Sequence, residues 1–457
     1  MNQLSGAKVS EKTSRRRIAI ATASGTFIEF YDFQVYGIAA GLTFAHIFFP
    51  ALGPGAGLVA SIASFGVAFV FRPVGGILFG HIGDRYGRKR ALSATLLLMG
   101  LGTVCIGLLP TADQIGITAP ILLIFLRVLQ GLAAGGEWAG AALLAGESVP
   151  KGKRGLYTMF PQLGGSSAIP LVMAVFLIVS AAMNNQTFMA WGWRVPFLLS
   201  APILIIGFIV RSKVNETAVF EKQESEAQSG VPIKEAFRHQ GREILLGAGA
   251  IVPNFLLTYV LIVFLADYAT SKLDVGRTTV LLINLISGLF LVAASVISSL
   301  LSDRIGRRKL IGIANLGGVL WSLALFPVLG LDSITGIVVM GCAVGILAGT
   351  IYGPTGAFIP ELFATRYRYS AATTAYALST IVGGSIAPLV APILVETFGG
   401  WSMGLFLAVL CVIAAFCTYK LQETRGVDLE TVGKSEHSAR TPSVAGHGLA
   451  RSAHTER

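Results

Sequence analysis

Gly80-His-Ile-Gly-Asp-Arg-Tyr-Gly-Arg-Lys-Arg90 and Ser299-Leu-Leu-Ser-Asp-Arg-Ile-Gly-Arg-Arg-Lys309 are one motif written twice. Both read D-R-x-G-R-[KR]-[KR], both follow a long apolar run, and Asp303 holds in the second the place of Asp84 in the first. A second pair of markers agrees. Glu147 precedes Arg154 by seven residues and Glu361 precedes Arg368 by seven, and the interval between these pairs nearly equals that between the two aspartates. Matched markers at nearly one offset, each in the corresponding loop, make the chain an internal duplication.

Composition says what is duplicated. Apolar residues make up 53% of the 457-residue chain and charged residues 13%, with a mean hydropathy of +0.70. Average soluble domains carry about 25% charged residues, so a soluble protein of this size is excluded. Disorder requires low hydrophobicity and is excluded for the bulk of the chain. The four cysteines, Cys105, Cys342, Cys411 and Cys417, lie inside apolar runs and read as small hydrophobes, not as a disulfide framework. A polytopic membrane protein remains, and its 54 glycines suit closely packed membrane helices.

About 20 mostly apolar residues are needed to cross a bilayer core. Twelve stretches qualify: 18–45, 57–82, 91–110, 119–146, 155–182 and 193–211, then 244–269, 277–301, 310–329, 333–359, 370–395 and 400–421. The expected fold is all-α and polytopic, with an N-terminal six-helix bundle over 18–211 and a C-terminal one over 244–421. Residues 1–17 and 422–457 read as polar tails, and 212–243 as an inter-bundle loop with a short surface helix around Glu221, Lys222, Glu224 and Glu226. Of the Lys and Arg residues, Arg72 and Arg127 fall inside spans, and Arg194, Lys272 and Arg277 fall on one side of the membrane. The rest share the other side with both chain ends, which the positive-inside rule makes cytoplasmic. The net charge of +11 is therefore a topology signal and not a nucleic-acid footprint. No P-loop motif occurs, so no nucleotide is expected; nor is a cofactor or a metal, since the six histidines show no ligand spacing.

Parallel repeats of six helices are a recurring plan of secondary transporters, with the substrate held between bundles near the midplane. The paired loop motif and Arg127-Val-Leu-Gln-Gly131 resemble the major facilitator superfamily. Gly25-Thr-Phe-Ile-Glu-Phe-Tyr-Asp-Phe33, Phe71-Arg-Pro-Val-Gly-Gly76, Gly135-Gly-Glu-Trp138 and Gly192-Trp-Arg-Val-Pro-Phe197 are similar to its metabolite:proton symporter branch. That branch includes shikimate, 2-oxoglutarate, citrate and proline/betaine carriers. The resemblance spans about 18–421, with residues 120–150 most like the shikimate type. Thr26 and Phe30 depart from the branch, which usually has Asn and Trp there, so substrate identity does not carry over. The resemblance implies twelve helices, alternating access and a monomer in a bacterial inner membrane.

Five ionisable residues lie well inside spans: Glu29, Asp32, Arg72, Arg127 and Glu137. Each costs roughly 2.5–3.5 kcal/mol at a lipid-facing helix centre, so they are expected to face inward and pair. Glu29 and Asp32 are three apart on one helix face, roughly 17–21 Å into the first span. A buried carboxylate has its pKa raised and a neighbouring Arg lowers it again, so a change of pairing moves a proton. Asp32 and Glu29 are expected to lead in proton coupling, with Glu137 third. Arg127 and Arg72 are expected to tune these carboxylates or bind an anionic substrate. Tyr31, Gln34, Gln162, Asn254, Tyr352 and Tyr376 are candidates for lining a substrate cavity, with Tyr259 and Asn284 behind them. Each of these also fits a plain interhelical hydrogen bond.

The loop motifs have a mechanical reading. Asp84, Arg85, Arg88, Glu147, Arg154, Asp303, Arg304, Arg307, Glu361 and Arg368 are placed to form ion pairs on the cytoplasmic face that make and break during gating, a role the superfamily resemblance also implies. The expected function is proton-coupled import of a small carboxylated metabolite, such as shikimate or a dicarboxylate. A proline/betaine carrier is the alternative. An embedded enzyme would need a clustered nucleophile and base, and a sensor a sizeable output domain; the sequence offers neither.

Overall fold

In a computed structural model, the backbone is described for residues 2–86, 88–135, 137–147, 149, 152–212, 233–271, 275–331, 333–365 and 367–429. Side chains are described for these residues except 2–17, 54, 80–81, 83–92, 210–212, 233–235, 267, 271, 388 and 391–392. The described part is nearly all helical and forms twelve rods. Span one is Asn2–Ala39 and its continuation to Phe48, so residues 2–17, expected as a tail, prolong the first helix. Spans two and three are Gly53–Tyr86 and Arg88–Leu108. Span four is broken into Thr118–Ala133 and Glu137–Glu147 around Gly135, where two glycines in succession weaken a helix. Span five is Arg154–Ala182, and span six assembles from short pieces ending in Ser200–Ser212.

The second half repeats the plan. Span seven starts at Ile233, earlier than expected, with a kink at Gln240. Spans eight, nine and ten are Arg277–Ile305, Arg307–Leu329 and Ile334–Glu361. Span eleven runs from Arg368 to Phe398 and span twelve is Gly400–Lys420. Among the described residues, nine helices are long and apolar enough to cross a membrane. The third span adds a shorter apolar helix, Ser93–Leu108. The first carries Glu29 and Asp32. The surface helix expected around Glu221 lies outside the described residues.

The duplication is visible in backbone detail. Span one widens into a π-helical turn at Ala40–Phe44, and span seven does so at Val260–Phe264, which sets the register between these two spans. The turns touch at the end opposite the charged loops, where a Cβ on Gly41 would meet Val263 at 3.2 Å. Spans two and four press together so closely that a Cβ on Gly131 would overlap the carbonyl of Ala68, and one on Gly135 that of Arg72. Spans eight and ten repeat both contacts, Gly345 against the carbonyl of Ser287 and Gly349 against that of Leu291. Span two therefore matches span eight with Arg72 on Leu291, and span four matches span ten with Gly135 on Gly349. The second interval is the shorter by five residues. The first half carries those five in one loop: 109–117 joins spans three and four, whereas 330–333 joins nine and ten.

Small residues let membrane helices pack backbone to backbone. Gly349→Ala places a methyl against a carbonyl that cannot move without its helix. It is expected to cost about 1–3 kcal/mol, the usual range for overpacking, seen as a lower melting temperature of the purified protein. An unchanged melting temperature would mean that spans eight and ten are not so close.

The bundles meet along spans two and eleven, and along spans five and eight. Near the charged loops, spans four and five also meet spans ten and eleven. Between these seams lies the site.

Candidate functional site

A cavity opens between the bundles. Its wall from the first bundle carries Phe30, Phe33 and Gln34 on span one, Phe65, Phe69 and Arg72 on span two, and Ser166 on span five. Phe65, Phe69 and Arg72 follow i, i+4, i+7 spacing and so share a helix face. The second bundle supplies Asn254, Phe255, Thr258 and Tyr259 on span seven, Leu291 on span eight and Tyr352 on span ten. Gln34 and Asn254 occupy equivalent positions, by the register of the π turns.

Arg72 is the cation in this wall. Its Nη2 lies 2.9 Å from Oε1 of Glu29, and both side chains are buried. The guanidinium covers the Phe33 ring at 4.2 Å and approaches that of Phe69 at 5.1 Å. Its Nε and the second carboxylate oxygen of Glu29 have no hydrogen-bond partner. A pair buried this deeply has little net stabilising value, but removing one partner is costly.

Asp32 sits one turn on, buried, between Ser200 and Thr103. Ser200 donates to its Oδ1 at 3.1 Å, while Oδ2 accepts no hydrogen bond. Arg127 was expected to pair with a carboxylate. Instead it donates to Gln130 Oε1 and to the carbonyl of Phe65, both at 2.9 Å, and stacks over Tyr36 at 3.9 Å. Gln130 passes the connection at 2.6 Å to Thr103, whose hydroxyl lies beside Asp32. Glu137 packs its Oε1 against Gly25 of span one, near enough to Glu29 for the two carboxylates to repel.

The floor is a cross-bundle square. Trp138 stacks on Tyr376 with ring centroids 3.7 Å apart, and its Nε1 donates to Gln162 at 2.9 Å. Gln162 donates to the carbonyl of Tyr352 in the other bundle. In the register that matches Gly135 with Gly349, Trp138 is equivalent to Tyr352 and Gln162 to Tyr376, so the two contacts are related by the repeat. Tyr376 and Gln162 therefore seal the cavity and do not line it. Tyr31 lies elsewhere: its hydroxyl donates to the Pro196 carbonyl at 3.0 Å and ties span one to span six. Asn284 is buried and outside the cavity wall.

Below the floor, the charged loops hold the bundles together. Arg154 reaches Glu361 at 3.4 Å, and Arg368 reaches Glu147 at 3.0 Å; these are the same bond in the two halves. The Asp303 carboxylate accepts from the backbone N–H groups of Gly155 at 3.0 Å and Leu156 at 3.1 Å, capping span five from the other bundle. Arg307 binds within its own bundle, to Glu361 at 2.7 Å and Asp303 at 3.1 Å. Arg304 takes part through its carbonyl, which accepts from Arg425. The side chains of Asp84, Arg85 and Arg88 lie outside the described residues.

Sequence reasoning missed two components. The aromatic lining of Phe33, Phe65 and Phe69 was hidden among 27 phenylalanines; the i, i+4, i+7 spacing ahead of Arg72 was its one signal. Residues 422–429, read from the sequence as part of the polar C-terminal tail, are docked. The Val427 carbonyl accepts from Arg154 at 2.8 Å, that of Leu429 from Arg368 at 2.7 Å, and Thr424 donates to Glu361 at 2.7 Å. Glu423 accepts from the backbone N–H groups of Arg307 and Arg308, at the start of span nine. The clustered charge of Glu423 and Arg425 just past the last span was the available sign.

Two six-helix bundles around a walled cavity are the architecture of a twelve-helix membrane transporter. Comparison with known proteins gives the same class. The sugar (and other) transporter family matches residues 18–231 and 218–435, and the chain belongs to it, within the major facilitator superfamily. The inner membrane metabolite transport protein YhjE of Escherichia coli K12 is 40% identical over 421 residues, 90% of this chain and 95% of that protein. The shikimate transporter of the same strain is 36% identical, over 90% of this chain and 95% of its own length. Its proline/betaine transporter is 31% identical, over 90% and 84%. Among solved structures, the proton:xylose symporter XylE bound to 6-bromo-6-deoxy-D-glucose superposes with a TM-score of 0.74 at 16% identity, covering 93% of this chain and 99% of that one. At that identity the likeness is one of fold.

Proposed function

We propose that this chain is a proton-coupled symporter that imports a small carboxylated metabolite across a bacterial inner membrane by alternating access. The observation that carries the reading is the buried Glu29–Arg72 pair in the cavity wall. A substrate carboxylate that reaches Arg72 competes with Glu29 for it. Glu29, buried and released from its partner, then favours the protonated form, because burial disfavours an isolated charge. Substrate entry and proton uptake become one event, and both are undone when the pair re-forms after release. Asp32 and Arg127, with Thr103 and Gln130 between them, are the second group in this circuit, and Glu137 adds negative charge beside Glu29.

In this reading the loop cluster is the inner gate and faces the cytoplasm, with both chain ends on that side and the protein acting as a monomer. Arg154–Glu361, Arg368–Glu147 and the Asp303 cap hold the inside closed and part when the bundles rock. The names of the relatives support a metabolite cargo, and that of XylE supports proton symport within the fold.

The test is uptake by proteoliposomes under an imposed pH gradient. Accumulation of an organic acid above equilibrium is expected when the outside is acidic, and its collapse when a protonophore is added. Uptake indifferent to the gradient would defeat the proton coupling.

A further inference from the structure

We propose that the substrate is a monoanion: one carboxylate on a compact, uncharged ring that carries hydrogen-bonding substituents. The inference rests on the reading above that this cavity is the substrate site, and it narrows the carboxylated metabolites to one class.

The repeat supplies the argument, because each wall position has its counterpart in the other half. Arg72 corresponds to Leu291, and each has its carbonyl against the equivalent glycine, Gly135 or Gly349. In the same registers Glu29 corresponds to Gly249, Asp32 to Val252, Arg127 to Gly341 and Glu137 to Ile351. Glu29, Asp32, Arg72, Arg127 and Glu137 therefore all have uncharged counterparts in the second bundle, unlike Arg154 at the charged loops, whose counterpart is Arg368. Arg72 is the one Lys, Arg, His, Asp or Glu among the described residues of the cavity wall. A first carboxylate finds Arg72; a second, reaching across, finds Leu291. Burying an unpaired carboxylate costs several kcal/mol, so dicarboxylates and tricarboxylates are rejected.

A zwitterion meets a different obstacle beside Arg72. A quaternary ammonium needs open aromatic faces. Here Arg72 already covers Phe33 and approaches Phe69, while the Arg127 guanidinium lies 5.6 Å from the Phe65 ring centre. A ligand cation at these rings would meet two guanidinium groups.

What the wall does offer is neutral. The equivalent amides of Gln34 and Asn254 face the cavity from opposite bundles, with no hydrogen bond to another described side chain, and the Tyr352 hydroxyl also lacks a partner. These groups suit hydroxyl or carbonyl substituents, and the phenylalanines suit a flat ring between them.

The experiment is calorimetric binding to the purified full chain in detergent, with shikimate and 4-hydroxybenzoate as ring monocarboxylates. The comparison ligands are 2-oxoglutarate, citrate, glycine betaine and shikimate methyl ester. A ring monocarboxylate is expected to bind roughly 100-fold more tightly than any of the other four, the size expected for a buried unpaired charge or a lost ion pair. Leu291→Arg, which installs the missing cation, is expected to bring 2-oxoglutarate to within tenfold of the monocarboxylate. Binding of 2-oxoglutarate, citrate or betaine to the unmodified chain as tight as that of the ring acids overturns the proposal. So does an unchanged preference in folded Leu291→Arg. The two readings fail separately. Gradient-driven uptake of a dicarboxylate defeats this inference and keeps proton symport; monocarboxylate-selective binding with gradient-independent uptake does the reverse.

Discussion

Glu29→Gln is expected to abolish accumulation driven by a pH gradient while leaving exchange of labelled for unlabelled substrate in place. The amide keeps the shape of the side chain but can neither lose a proton nor hold Arg72 as an ion pair. With no proton to take up, the substrate moves down its own gradient only, and the internal concentration stops at the external one. The variant also leaves a guanidinium buried without its counter-charge, which costs about 3–5 kcal/mol when one member of such a pair is removed. A lower melting temperature is therefore expected alongside. Glu29→Gln combined with Arg72→Gln separates the two effects, because a pair replaced as a whole by neutral groups costs less than a broken one. Its stability is expected to recover and its accumulation is not. Asp32→Asn is the companion measurement. If both single variants accumulate substrate as fully as the parent, the coupling assignment fails.

Glu361→Gln should open the charged face. This carboxylate holds Arg307 at 2.7 Å and Arg154 at 3.4 Å and accepts from Thr424, so it joins the second bundle to the first and to the C-terminal segment at one point. Loss of a buried partner at about 3–5 kcal/mol, at 1.4 kcal/mol per tenfold, shifts the closed-to-open balance by roughly 100- to 4000-fold. The readout is maleimide labelling of a cysteine introduced at Thr373, which borders the small pocket beside Trp138 and Tyr376. It is made in a background where the four native cysteines are replaced. Labelling from the charged side is expected to rise steeply in Glu361→Gln, and transport turnover to fall more than substrate affinity. Unchanged labelling would reduce the cluster to a topology signal.

The duplicated D-R-x-G-R motif gave the architecture because charge next to apolar runs is strong evidence in a membrane protein. Membrane burial also made Glu29, Asp32, Arg72, Arg127 and Glu137 conspicuous, and all five lie inside the protein. Which of them pair could not be read, since pairing depends on helix rotation. Glu29 and Arg72 meet, whereas Arg127 takes a ring, an amide and a carbonyl in place of a carboxylate. Phenylalanine is as common toward lipid as toward a cavity, so spacing alone could not separate the cavity face from the lipid face. Residues 422–429 were harder to read because part of their anchoring uses the backbone carbonyls of Val427 and Leu429, which leave no mark on residue choice, while Glu423, Thr424 and Arg425 bond through side chains.

Because a single loop absorbs the five-residue discrepancy between spans two and four and their counterparts, those helices have kept their register. The molecule thus carries its own control. For every side chain assigned a task in one half, the other half shows what the same scaffold does without it. Exchanging such partners, Arg72 with Leu291 or Trp138 with Tyr352, asks what a residue contributes while the sum of side chains in the protein stays constant.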